Sequence, residues 1–306
     1  IRSLVAQGDT LRVQAGGGIV YDSDAAVVWM SDGAKVPVDE AQRPAIPILM
    51  TLGALSAGAD AFDPARPVIL MTEDKKTKPV TALARANGAP QNLAVISYNG
   101  CGNLPAARLL ASMITDMRPD ARIILHRDRD FRTQAEMDFE IATAAAERQR
   151  NGVTRVTEVF TPFNDVEHSF AQAQHLKANF PHIAPEVVDA AITDVTAFRR
   201  DQLVAAAHTA RGQIKTTVYD SQRKRGKPEW ALCGMPADPP ANAGFVPANG
   251  LIPVAFEHSH GKLLMDGLRP RIHQQVGGAT QDCENRIYSA SNHLLAPNWI
   301  NAFTAP

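Results

Sequence analysis

Two carboxylates with one residue between them, Asp128 and Asp130, follow the apolar run Ile123 to Leu125. The run predicts a short buried strand. If strand geometry continues beyond it, side chains at i and i+2 point to the same face, so both carboxylates would lie side by side. Adjacent carboxylates repel each other unless a cation lies between them, and a divalent ion suits that position. The pair therefore indicates a metal site, although an isolated Asp-x-Asp fits a surface turn with ordinary ion pairs equally well.

Basic residues accompany these acids. Arg127 and Arg129 alternate with the carboxylates, and they could pair with them or hold a phosphate group that reaches the metal. Four further basic side chains lie close together in the chain: Arg223, Lys224, Arg225 and Lys227. Such a run is usually a solvated loop, but it also suits sequence-independent binding of a phosphate backbone.

Polar residues also follow other predicted strands. One apolar run ends just before Glu73 and Asp74, and the next ends just before Asn99 and Gly100. Because these runs alternate with helical segments, the chain predicts an α/β fold, with a parallel sheet flanked by helices. Ligands bind beyond the carboxyl ends of the strands in such sheets. The polar groups are therefore expected to converge on one edge.

The segment after the fourth predicted strand carries two more acids, Asp165 and Glu167. Asp165 suits an N-cap, and acids suit the first turn of a helix. Because the fourth strand ends at the same edge of the sheet, Glu167 could also reach the metal. His258 and His260 could form a metal-binding pair, but no third ligand is near them in the chain, so we do not assign them to a site.

Composition limits the possible function classes. The net charge of the 306 residues is −1, so no global basic field indicates nucleic acid, and any site for a polyanion must be local. The cysteines are scattered without the spacing of zinc ligands, which argues against a zinc site or a disulfide framework and fits a reducing cytoplasm. No apolar run reaches the length of a membrane span, so we expect a cytoplasmic protein that does not contact membranes.

Three regions are predicted along the chain. Residues 1–66 form a small β-rich segment without a Walker A sequence. Residues 67–170 form the parallel sheet. Residues 171–306 are mainly helical and contain a Pro/Gly-rich loop at 236–253.

Five features of the sequence match the pattern of one class of nuclease. They are a strand ending in Glu73, a glycine after the second strand (Gly100), the Asp128-Arg129-Asp130 sequence, Glu167 at the start of a helix, and Gly261-Lys262 before a leucine-containing helix. Residues 67–170 thereby resemble a Toprim domain. More narrowly, they are similar to the Toprim nuclease part of the OLD (overcoming lysogenization defect) family and of related bacterial anti-phage nucleases. The pattern is not complete, because Asp74 stands where the family has glycine and Thr77 where it often has an acid.

The resemblance implies a Toprim-like (Rossmann-like) sheet that binds two Mg²⁺ or Mn²⁺ ions and cleaves DNA in anti-phage defence. It also implies an ATPase domain or subunit as a partner, and an oligomer, and residues 1–66 could be the remnant of such a domain or a replacement for it. Glu73, Asp128 and Asp130 would be the principal metal ligands, with Asp74 and Glu167 as auxiliary ones. Among the catalytic residues, Glu73 could instead act as general base, and Lys262 would stabilise developing negative charge. The basic side chains named above would position the DNA backbone. Asn99 and Gly100 would have a structural role at the site.

Three other functions compete with a nuclease. A Toprim-like module could be a non-catalytic sensor or a subunit of a defence complex. A nucleotide-sugar transferase also uses Asp-x-Asp after a strand to hold a metal and a diphosphate. A phosphatase with an aspartate nucleophile is disfavoured, because Arg132 stands where threonine or valine would be expected.

Overall fold

The structure, a computed structural model, describes residues 12–13, 19–20, 29–31, 34–36, 45–54, 60–214 and 259–304. Contacts divide the chain into two compact units. The first comprises residues up to 77 together with 92–125, and the second comprises 78–91 together with residues from 126 onwards. The predicted domain limits at residues 66 and 170 stay a prediction.

The main sheet consists of the parallel strands β5 (Val68–Thr72), β6 (Ala94–Ser97), β7 (Arg122–Arg127) and β8 (Val156–Phe160), in the order β6-β5-β7-β8. Strand β5 is buried along its whole length, which explains its continuous apolar run. Helices connect successive strands, as parallel pairing requires. The predicted α/β fold with a parallel sheet flanked by helices is confirmed. It is compatible with a Rossmann-like arrangement, and its narrower Toprim assignment stays a prediction.

Helices make up much of the rest of the described chain. In chain order they are α1 (Ala45–Thr51), α2 (Thr77–Ala86), α3 (Leu104–Met117), α4 (Gln134–Arg150), α5 (Val166–Phe170), α6 (Ala173–Asn179), α7 (Pro185–Phe198), α8 (Arg200–Ile214), α9 (Gly261–Val276), α10 (Thr280–Ile287) and α11 (Pro297–Thr304). Short 3₁₀ turns span Cys101–Asn103 and Asn292–Leu294. None of the helices in this part of the chain has the length and apolar character needed to cross a membrane.

The N-terminal region contains two antiparallel strand pairs. Strand β1 (Arg12–Val13) pairs with β2 (Ile19–Val20), and β3 (Trp29–Ser31) pairs with β4 (Ala34–Val36). The predicted β-rich character of the whole segment 1–66 stays a prediction. Its proposed relation to an ATPase domain stays a prediction.

Two helix limits were predicted wrongly. The apolar segment 46–59 predicts a helix, but α1 ends at Thr51 and is followed by Gly53 with φ +66°, a left-handed conformation that stops a helix. The sequence also predicts a helix near residues 287–295, whereas α10 ends at Ile287. The chain then becomes extended at Ser291, whose side chain accepts the N–H of His293 and starts a 3₁₀ turn.

In the second unit, helix α9 lies against α5 and α7, and α11 lies against β8. Trp299 anchors α11, because its Nε1 donates a hydrogen bond to the carbonyl of Phe160 at 2.9 Å. Helix α4 starts with a capping box in which Thr133 and Glu136 satisfy each other's backbone N–H groups. The C-terminal helices therefore pack directly on β8 and on helices α5 and α7, which follow it.

Candidate active site

Two buried polar side chains mark the end of strand β7. His126 and Asp128 are 0% and 4% exposed, and His126 Nε2 lies 3.7 Å from Asp128 Oδ1. Burial, followed by the positive charges of Lys262 and Arg127, lowers the pKa of His126 to about 3. The imidazole is therefore neutral at physiological pH and keeps a lone pair for a metal ion.

Lys262 approaches this strand end from the start of helix α9. Its Nζ lies 3.2 Å from Asp128 Oδ2 and 3.9 Å from Glu167 Oε2. We call Asp128, Glu167 and Lys262 the acid–lysine cluster. It unites three residues that the sequence analysis singled out separately, although their catalytic roles stay a prediction.

Asp165 joins the two helices that carry Glu167 and Lys262. Its Oδ1 accepts the backbone N–H of His168 at 2.9 Å and so caps α5, as the sequence predicted. Its Oδ2 accepts the backbone N–H of Lys262 at 3.1 Å and so also satisfies the start of α9. Burial opposes ionisation of Asp165, but contacts with His260 and Lys262 hold its pKa below the usual range.

Gly261 makes this junction possible. A Cβ added at Gly261 would overlap Asp165 Oδ1 and the backbone of His168. Only glycine therefore lets the first turn of α9 come this close to α5. This close approach gives a physical reason for the glycine in the Gly261-Lys262 pair.

Asn164 connects the loop after β7 with the segment before α9. Its carbonyl accepts the N–H of Asp130 at 2.9 Å, and its Oδ1 accepts the N–H of Phe131 at 3.0 Å. Its Nδ2 donates to the carbonyl of Ser259 at 3.0 Å. The sequence analysis missed this residue, because only tertiary contacts reveal what its amide binds.

The expectation for Asp130 was wrong in its geometry. Strand β7 ends at Arg127, and Asp130 and Phe131 adopt left-handed φ angles of 47° and 63°. The alternation of a strand therefore does not extend to Asp130. While Asp128 is buried, the Asp130 side chain is 40% exposed and lies 3.7 Å from Arg132.

Arg127 does not have the surface position expected of a residue that binds DNA. It is buried, forms ion pairs with Glu140 and Glu158, and stacks over the Phe160 ring at 4.5 Å. Its position on β7 directs it to the face covered by these groups, so it stabilises the fold. Arg129 is only partly buried, and its Nε donates to the carbonyl of Arg132 at 2.6 Å.

The first unit holds the predicted residues of β5 and β6. Glu73 and Asp74 are buried directly after β5, and Asp74 N donates to Thr72 Oγ1 at 3.2 Å. Gly100, with φ +103°, donates its N–H to the carbonyl of Glu73 at 2.8 Å. The amide side chain of Asn99 donates to the carbonyl of Leu52. Asn99 and Gly100 thus hold together the loops of this unit by hydrogen bonds, and their structural role at a catalytic site stays a prediction.

His126 and Asp128, at the end of β7, each offer one atom that could bind a metal ion. Carboxylate oxygens and a neutral imidazole fit the divalent ion that the Toprim resemblance implies. The imidazole suits Mn²⁺ better than Mg²⁺, because Mg²⁺ prefers oxygen ligands.

The sequence contained a signal for His126 that was not used. His126 and Asp128 are two residues apart in an extended segment, so they share a face.

Other predicted residues fall outside the described part of the chain, namely Arg223, Lys224, Arg225, Lys227 and His258.

Comparisons of the chain with protein-family models, with curated proteins and with solved structures gave no match. Its residues and their contacts are therefore the basis for assigning a function, and the resemblance to Toprim nucleases stays a prediction.

Proposed function

We propose that this chain is a divalent-metal-dependent nuclease that hydrolyses phosphodiester bonds of DNA. The observation that supports this function best is the acid–lysine cluster, in which Lys262 approaches Asp128 and Glu167 across a long stretch of sequence. Carboxylates can hold a metal ion, and an ammonium group beside them can bind the phosphate whose hydrolysis the metal promotes. The Toprim-like architecture, the anti-phage role, the ATPase partner and the oligomer belong to the same proposal, on the strength of the resemblance.

The side chains divide the work of hydrolysis. His126 and Asp128 would hold a divalent ion, which activates water and neutralises phosphate charge when bound. Glu73, Asp74 and Glu167 would act as auxiliary acids, as the resemblance implies. Lys262 Nζ, on a side chain that is 44% exposed, would bind the phosphate oxygens on which negative charge develops. His126 takes the place in this ligand set that the sequence analysis assigned to Asp130.

The basic residues contribute unequally to DNA binding in this proposal. Arg127 is excluded because its guanidinium is buried in ion pairs with Glu140 and Glu158. Arg129 and the basic residues between 223 and 227 would contact the phosphate backbone without reading its sequence.

Conversion of Asp128 to asparagine tests the function. Asp128→Asn keeps the size of the side chain but removes the charge that a metal ion and Lys262 both require, so nicking of supercoiled plasmid with Mn²⁺ should fall about 100-fold or more. Asp138→Asn removes an exposed carboxylate of α4 and should leave nicking unchanged. Melting temperatures of both variants show whether the fold is kept.

Full nicking activity in Asp128→Asn would refute the assigned site. A wild-type protein that binds Mn²⁺ but cleaves neither DNA nor RNA would instead favour the non-catalytic sensor. The geometry of Asp130 disfavours the nucleotide-sugar transferase. That function needs both acids of Asp-x-Asp at one ion, but the backbone turns at Asp130, so the alternation of a strand does not bring its side chain to the face of Asp128.

A further inference from the structure

A buried carboxylate fixes the ring of His260, the residue just before helix α9. His260 Nδ1 lies 2.9 Å from Asp165 Oδ2. The Asp165 side chain is 1% exposed, whereas that of His260 is 25% exposed and therefore accessible to solvent. The ion pair engages the Nδ1 side of the ring, so Nε2 is the nitrogen that would exchange a proton with a bound molecule.

The same carboxylate oxygen places His260 beside the acid–lysine cluster. Asp165 Oδ2 accepts the backbone N–H of Lys262, whose Nζ lies 3.2 Å from Asp128 Oδ2. Gly261, between His260 and Lys262, packs too closely on Asp165 to allow a side chain. His260 is thus held on the same rigid support as the lysine that is proposed to bind the phosphate.

We propose that His260 is the general acid of phosphodiester hydrolysis and that Asp165 is its positioning residue, an inference that rests on the proposed nuclease function. The oxygen of water bonds to phosphorus while the bond from phosphorus to the leaving oxygen breaks. The electron pair of that bond goes to the leaving oxygen, which takes the proton of His260 Nε2. The proton of the attacking water passes to solvent, and His260 regains a proton from solvent.

The surrounding charges agree with an acid that is protonated before the reaction. Burial of His260 opposes its charged form, but contact with Asp165 outweighs burial and raises the pKa. Asp130 acts in the same direction and Lys262 in the opposite one. A histidine–carboxylate pair of this kind is a common way to fix the tautomer and orientation of a proton donor.

The test compares two substrates that differ in their need for an acid. DNA has a poor leaving group that needs a proton, whereas bis(p-nitrophenyl) phosphate releases nitrophenolate without one. His260→Asn keeps a donor for Asp165 and suits the N-cap position, but it has no proton to transfer. With Mn²⁺, its rate on DNA should fall about 100-fold or more, and its rate on the nitrophenyl diester should stay within about threefold of wild type.

His182→Asn, which changes an exposed histidine, is the matched control and should leave both rates unchanged. Equal loss of both rates in His260→Asn would show a purely structural role and overturn the proposal, and so would full activity on DNA. If His260→Asn unfolds, His260→Gln replaces it in the same comparison. A wild type that cleaves neither substrate overturns the nuclease function itself, and this outcome is distinct from a variant that loses both rates.

Discussion

Asp165 shows how much one buried side chain can organise. Its two oxygens accept backbone N–H groups from α5 and α9, and one of them also contacts His260. A buried carboxylate is stable only when such donors replace water, and here they outweigh the effect of burial on its pKa. The position of Lys262 beside Asp128 depends on these few contacts.

The pair of Asp165 and His260 makes stability depend on pH. Folding raises the pKa of His260 above 6.5, so the folded state binds this proton more tightly than the unfolded state. Its stabilising effect is complete below pH 6.5 and is lost as the pH rises through the raised pKa. We expect the difference in free energy of unfolding between wild type and His260→Asn to be larger at about pH 5.5 than at about pH 9. Urea denaturation at both pH values measures it, and a difference independent of pH would contradict the assignment.

Among the elements, α9 depends most clearly on close packing. Its first residue, Gly261, touches α5, and Gly267 faces Val195 of α7. These contacts leave no room for larger residues, because packed interiors cannot absorb an added methyl group without movement of the backbone.

Gly261→Ala should therefore destabilise the protein by about 1–3 kcal/mol and also reduce nicking, because α9 and Lys262 must move away from Asp165. Gly212→Ala, in helix α8, is the matched control. A Cβ at Gly212 meets nothing within 4 Å, so the free energy of unfolding should stay the same or rise by up to ~1 kcal/mol. Thermal and urea unfolding of the two variants separates the cases, and equal stability would show that α5 and α9 tolerate a wider spacing.

The sequence predicted the strands of the main sheet well and the loop geometry poorly. A continuous apolar run such as 68–71 belongs to a buried parallel sheet, and this signal is local. In the left-handed turn at Asp130, backbone N–H groups donate hydrogen bonds to oxygens of Asn164, more than thirty residues away, so no local pattern could show this turn. The approach of Lys262 to Asp128 was expected only from the resemblance to nucleases, and the contact of His260 with Asp165 was not expected at all.

At the scale of the whole chain, the C-terminal helices complete the second unit. Leu264, Met265 and Leu268 of α9 are buried, as is Trp299 of α11. A protein ending at residue 258 would lack these side chains and would expose the faces of α5, α7 and β8 that they cover.

We therefore expect the chain ending at residue 258 to unfold without a sharp transition and to bind a hydrophobic dye such as ANS more strongly than the full chain. It should also have no nuclease activity. Lys262→Met in the full chain is the control, because it removes the cation and keeps α9. It should lose activity with a sharp unfolding transition intact, and a sharp transition in the shortened protein would show that the first 258 residues fold without the C-terminal helices.

The double capping by Asp165 has a consequence for synthesis of the protein. Ribosomes make Asp128 and Glu167 long before Lys262, so a nascent chain carries the acids without their cation. The acid–lysine cluster therefore cannot assemble until the ribosome has passed residue 262. If the protein is the proposed nuclease, a product that ends before this residue would lack the lysine and would be harmless to the DNA of the cell that makes it.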